Sequence, residues 1–147
     1  MMLRLRLQKG LNLSLMLKDN LNSQKALAAL YTMGYQLYEN GKYQKAADVF
    51  RVLTVLDQSE RKYWLGLGAS FHMQKEYDRA LQSYGYAALL NENDPYAHFH
   101  AAECFLSQGK KENGYHVLEV AKSVALLNKE KYNHLLIQIE LIQNAWK

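Results

Sequence analysis

A period of 34 residues runs through this chain and leaves few folds open to it. Gly34, Gly68 and Ala102 stand one period apart, as do Ala46, Ala80 and Gly114. The same step links Leu37, Phe71 and Phe105; Phe50, Tyr84 and Leu118; and Leu53, Ala87 and Ala121. Small residues that recur at fixed positions mark where two helices of one unit approach closely. Large apolar residues that recur mark the space filled between them. A single unit of this size cannot bury its own apolar face, so units stack on their neighbours and the stack curls. The hollow side of such an array takes an extended ligand, which points to a binding protein and away from a catalyst.

The second unit reads Trp64-x2-Leu67-Gly68-x2-Phe71, followed by Ala80-x3-Tyr84. This resembles the tetratricopeptide signature nearly position for position. The fold class expected is all-α: three tandem helical hairpins in a right-handed superhelix, with an N-terminal helix and a C-terminal capping helix. The units fall at 27–60, 61–94 and 95–125, preceded by an arm at 1–26 and followed by a cap at 126–147. Turns are expected at Asn40-Gly41-Lys42, near Gln74-Lys75-Glu76 and at Gln108-Gly109-Lys110. Pro95 suits the first turn of its helix, where its missing N–H would be unpaired in any case. Leu135, Leu136, Ile139 and Ile142 give a last helix, from about Lys129 to Trp146, the apolar side needed to seal the open end of the array. Ser23 is a candidate N-cap for the first repeat helix. Residues 1–10 alternate strictly at Leu3-Arg4-Leu5-Arg6-Leu7, a pattern that is strand-like or unstructured.

Within each first helix, the positions of Trp64, Leu67, Gly68 and Phe71 are occupied in packing. The stripe beside them, at i, i+4 and i+7, looks into the hollow. It comprises Tyr31, Tyr35 and Tyr38 in unit one; Leu65, Ala69 and His72, with Met73 alongside, in unit two; and Phe99, Glu103 and Leu106, with Tyr96 a turn earlier, in unit three. A solvated stripe is polar, whereas this one is mostly aromatic or apolar, as at an interaction site. The blander reading is that individual tyrosines pack against the N-terminal helix. Tyrosine suits a peptide groove, because its rigid ring supplies contact area and its hydroxyl reaches a bound chain's carbonyls. The ligand expected is an extended apolar segment, with proline favoured because its preset backbone loses little entropy on binding.

Composition narrows the alternatives. With 49% hydrophobic and 22% charged residues the chain has the balance of a folded globular domain. Its net charge of +4 invites a nucleic-acid reading. However, Arg4, Arg6, Lys9 and Lys18 lie ahead of the repeats, and no helix carries a basic stripe, so no phosphate track is expected. No apolar run has the length to span a bilayer, and the N-terminal leucines are interrupted by Lys9 and Lys18 without a signal-peptide pattern. The protein is therefore expected to stay where it is made, without membrane insertion.

Catalytic and metal chemistry find no footing. His98 and His100 are two apart on a helix and face different ways, so they cannot share an ion as an i, i+4 pair does. Cys104, the one cysteine, sits among core positions with no thiolate-stabilising cluster. Gly66 and Gly68 fit no phosphate-loop pattern; Gly68 is the close-contact glycine, while Gly66 has no role in the repeat frame. No metal, cofactor or enzymatic activity is expected.

Several segments together resemble the class II chaperones of bacterial type III secretion, the SycD/LcrH type. They are Leu30-Tyr31 through Tyr38-x2-Gly41-Lys42-Tyr43-x2-Ala46, Val55-Leu56-Asp57, Leu65-Gly66-Leu67-Gly68-Ala69, Tyr77-Asp78-x-Ala80 with Ser83-Tyr84, and Phe99-His100-Ala101-Ala102-Glu103-Cys104. The resemblance implies a small cytoplasmic chaperone that holds hydrophobic translocator proteins before export, taking a segment with spaced proline and leucine anchors in its hollow face. It points to Tyr31, Tyr38 and Tyr43 as pocket residues, Tyr43 on this ground alone. It also implies a homodimer, with Leu11, Leu13, Leu15 and Leu17 of the N-terminal helix as contact candidates. Two other readings compete. A generic repeat adaptor that grips a free carboxylate needs Lys and Asn where Tyr31 and Tyr35 stand, and a direct nucleic-acid regulator needs the basic stripe that is missing.

Overall fold

The computed structural model describes residues 1–4, 8 and 24–145. Leu11, Leu13, Leu15, Leu17 and Ser23 lie outside the described residues. From residue 24 onward seven helices follow in order: α1 (Gln24–Glu39), α2 (Tyr43–Leu56), α3 (Arg61–Met73), α4 (Tyr77–Leu90), α5 (Tyr96–Ser107), α6 (Lys111–Leu126) and α7 (Asn133–Ala145). α1/α2, α3/α4 and α5/α6 are three hairpins, and α7 closes the end against α6.

Each hairpin turns in the same way, down to single hydrogen bonds. Lys42, Glu76 and Lys110 donate their N–H to the carbonyls of Leu37, Phe71 and Phe105 at 2.8, 2.9 and 2.9 Å. Gly41, Lys75 and Gly109 donate to Tyr38, His72 and Leu106 at 3.0, 2.9 and 3.0 Å. These paired bonds are the Schellman cap, which needs a left-handed residue just past the helix. Gly41 and Gly109 supply it with φ of 76°, and in unit two Lys75 holds that conformation at φ 62°.

The recurrent small residues meet large ones. A methyl group on Gly68 would lie 2.6 Å from the Tyr84 ring, and one on Gly114 would lie 2.7 Å from Leu106. The Phe50 ring is held from two sides. A methyl on Gly34, in its own unit, would sit 3.1 Å away, and one on Gly66, in the next unit, 2.6 Å away. Gly66 therefore serves the joint between units, a role that the spacing within a single unit does not display.

Burial divides into two cores. One gathers Ala46, Phe50, Leu53, Tyr63, Leu67, Phe71, Ala80 and Tyr84 from units one and two, with Cys104 from unit three. The other gathers Phe99, Ala102, Leu118, Ala121 and Ala125 of unit three with Tyr132, Leu135 and Ile139. Polar ties join the second unit to the third. Arg61 pairs with the buried Asp94 at 2.7 Å, Asp94 accepts the N–H of Tyr96 at 2.8 Å, and the Cys104 thiol donates to the Tyr77 carbonyl at 3.6 Å. The last helix begins later than the apolar spacing suggests. Residues 127–132 form turns, with Asn128 accepting the N–H of Tyr132 at 3.1 Å, and the buried Tyr132 anchors the entry to α7.

The first helices touch one another across neighbouring units, α1 with α3 and α3 with α5, more closely than the second helices do. The stack therefore bends with α1, α3 and α5 on the inside and α2, α4 and α6 on the outside.

Candidate peptide-binding face

Tyr31, Tyr35 and Tyr38 follow one another along α1, with their rings at different depths. Tyr31 is half-buried: its ring meets Phe50 edge-on at 5.9 Å and Tyr63 at 5.9 Å, and Lys62 Nζ stands 4.8 Å above it. Tyr35 is 52% exposed and tilts against Tyr31 at 6.4 Å. Tyr38, also half-buried, meets Tyr43 edge-on at 5.3 Å across the α1–α2 turn. Burial and nearby phenol and carboxyl groups raise the pKa of Tyr31 and of Tyr38, so both hydroxyls stay protonated and able to donate. The four rings form two contacting pairs along one helix and its turn: Tyr31 with Tyr35, seated on the core by Phe50, and Tyr38 with Tyr43.

The middle and far end of the same face are more polar. Leu65, Ala69 and His72 are half-buried on α3, and Met73 is 47% exposed at its end. His72 Nε2 lies 3.3 Å from Ser107 Oγ, and its ring meets Tyr77 edge-on at 5.7 Å. Its pKa is lowered, chiefly by burial, against the opposing pull of the Glu103 carboxylate. His100 Nδ1 lies 2.8 Å from Glu103 Oε1, and its ring stacks on Tyr84 at 5.7 Å. Tyr38, His72, His100 and Glu103 are thus drawn together from three units, with Glu103 near enough to act on Tyr38 and His72, and His100 on His72. This is a polar station beyond the aromatic one.

Three of the expected residues are placed differently. Phe99 is only 6% exposed and belongs to the second core, because α7 and Tyr132 close over the last unit and draw its ring inward. Leu106 leans on Gly114 of α6 within its own unit. Tyr96 stands at the far end, edge-on to Tyr132 at 6.0 Å, rather than in line with the α1 rings. Two residues of this face escaped the sequence reading. His100 was weighed only as a metal ligand, although its spacing from Glu103 gave an i, i+3 pair. Tyr63, which supports Tyr31 from below, showed no periodic signal. The Cys104 thiol is buried and its pKa pushed up to about 11, so it stays protonated. Among the described residues no three His, Cys, Asp or Glu side chains gather as metal ligands, and no helix is long and apolar enough to cross a membrane.

Comparison with known proteins places this geometry. A tetratricopeptide-repeat family model matches residues 31–98. Low calcium response locus protein H of Yersinia pestis is 34% identical over 125 residues, which cover 85% of this chain and 74% of that protein. The chain belongs to the translocator-chaperone family of type III secretion. The solved structure of the Yersinia enterocolitica translocator chaperone SycD superposes with a TM-score of 0.82 at 33% identity, covering 88% of this chain and 96% of SycD. SycD in complex with a peptide of the translocator YopD gives 0.77 at 34% identity, covering 84% of this chain and 93% of that one. Family membership accounts for the three hairpins and the terminal helix together.

Proposed function

We propose that this chain is a non-catalytic chaperone of the bacterial cytoplasm. It holds an extended apolar segment of a type III secretion translocator on its inner face until export. The observation that carries this reading is the run of four partly open tyrosine rings on α1 and at the start of α2: Tyr31 against Tyr35, with Phe50 and Tyr63 bracing Tyr31, and Tyr38 against Tyr43. A client leucine or proline seats among these rings, and the Tyr31 and Tyr38 hydroxyls donate to its backbone carbonyls. Leu65, Ala69 and Met73 continue the apolar track, and His72 and Glu103 give it a polar end. Residues 27–125 form the binding array, 126–147 the cap, and the arm at 1–26, with its leucines, the contact between two copies.

The energetics suit a holder. A micromolar complex, near 8 kcal/mol, keeps an apolar segment from aggregating and still releases it. The test is calorimetry of translocator segments against the chain and against Tyr31→Ala with Tyr38→Ala, with helix content followed by circular dichroism. The expected result is loss of binding at unchanged helix content. Equal affinity in the double variant refutes the groove, and binding of a free-carboxylate acidic peptide there instead assigns the face to a carboxylate clamp.

A further inference from the structure

The outer side of the stack carries a second opening that the inner face does not use. Between α2, α3 and α4 lies a cavity of about 340 Å³, lined among others by Arg51, Trp64, Phe71, Arg79 and Tyr86. Its floor is the Phe71 ring, with the Arg51 and Arg79 guanidinium carbons 5.8 and 5.4 Å from the ring centroid. Its wall is Trp64 stacked on Tyr86, with centroids 4.6 Å apart and planes inclined by 13°. The Trp64 indole N–H is already engaged by the Gln58 carbonyl at 2.9 Å, which fixes the ring and leaves its apolar surface to a ligand.

The charge in this cavity is one-sided. Neither Asp nor Glu lines it. Arg51 has no carboxylate partner among the described residues, and Arg79 spends one nitrogen on Glu76 at 3.0 Å, outside the lining. On the same two outer helices, Val52 and Val55 of α2 and Tyr86 and Leu89 of α4 are exposed, each pair one repeat apart. Apolar side chains left in solvent with that regularity mark an interface. Trp, Tyr and Arg are the residue types in which binding energy concentrates. Guanidinium forks poised over an aromatic ring match a carboxylate. The volume is at the small end for a ligand site, right for one or two side chains of a larger partner.

We propose that this outer cavity docks an acidic segment of a protein partner. A carboxylate is held between Arg51 and Arg79, and a neighbouring apolar side chain lies against Trp64 and covers Val52, Val55 and Leu89. Because no residue of α1 or α5 lines this cavity, the inner groove and the outer cavity are filled at the same time. The chain then links a held client to a second protein.

The test uses the full chain carrying Trp146→Phe, so that Trp64 is the one indole. The probe is a short peptide repeating Glu-Glu-Phe-Leu, with a control in which lysine replaces glutamate. The acidic peptide is expected to shift Trp64 emission, to bind more weakly as salt rises, and to bind equally to the Tyr31→Ala, Tyr38→Ala variant. Its affinity falls at least about tenfold in Arg51→Gln with Arg79→Gln, since each lost charged hydrogen bond costs about 1.5–3 kcal/mol. The proposal is overturned by an unchanged Trp64 signal, by equal binding of the lysine peptide, or by equal affinity in the arginine variant. It is also overturned if Trp64 emission changes with chain concentration alone, which makes a second copy the occupant.

Discussion

Gly66→Ala tests how the units are joined. In isolation the change favours a helix by about 1 kcal/mol. Here the new methyl stands 2.6 Å from the Phe50 ring. That ring has little room to withdraw, since it is 2% exposed, backed by Gly34 and packed edge-on by Tyr31 at 5.9 Å. Overfilling of this kind costs about 1–3 kcal/mol. Gly85 in α4 is the matched control: a methyl there meets nothing within 4 Å, so Gly85→Ala keeps the full helical gain. Urea melts followed by circular dichroism are expected to place Gly66→Ala about 1–3 kcal/mol below Gly85→Ala, a gap of several degrees in Tm for a chain of this size. Adding Phe50→Leu, which vacates the contact, removes most of that gap in a double-mutant cycle. If Gly66→Ala proves as stable as Gly85→Ala, the close packing at the joint is refuted.

Other outcomes follow from the same structure. Lys75→Gly is expected to raise stability by up to about 1 kcal/mol in denaturant melts, because a left-handed non-glycine residue costs about 1–2 kcal/mol and glycine's greater chain entropy offsets part of that. Leu118→Ala, at the centre of the second core, is expected to cost about 2–5 kcal/mol and to speed amide exchange in α6 and α7 first. His72 and His98 both have pKa values lowered from 6.5, mainly by burial, with Glu103 and Asp94 opposing. The unfolded chain therefore takes up their protons first, so stability is full above pH 6.5 and falls as the pH drops toward the folded values. Replacing both histidines with glutamine should flatten the difference in unfolding free energy between pH 7.5 and 5.5, and an unchanged slope excludes them as its source.

Much of this was legible in the residues because a repeat states each rule three times. The turns could be placed from Gly41 and Gly109, and the same bonds recur at Lys75, where the glycine is missing. The α1 tyrosines were readable as a stripe because they recur at i, i+4 and i+7 beside the packing positions Gly34 and Leu37, although Tyr31 and Tyr38 also lean on the first core. The period misleads where periodicity ends. Phe99 occupies the position of Tyr31 and Leu65, yet among the described residues α7 takes the place of a next unit, and Tyr132 and Leu135 share the core with its ring. His100 and Gly66 are also one step apart. One stacks on Tyr84 and the other admits Phe50, so a single position serves the joint between units by opposite means. Contacts between units are invisible to a search for likeness within them.

The division of the interior has a mechanical consequence. Two separate apolar centres, with units two and three tied by an ion pair, a thiol contact and the stacking of His100 on Tyr84, give a molecule in which one end can yield while the other keeps its shape. Tyr31 and Tyr38 ride on the first centre, whereas Glu103 belongs to a helix shared with the second. On the proposed function, loosening the far end would let go of a client's tail before its anchor, so that detachment would proceed by peeling, with far less force than prying the whole grip open at once.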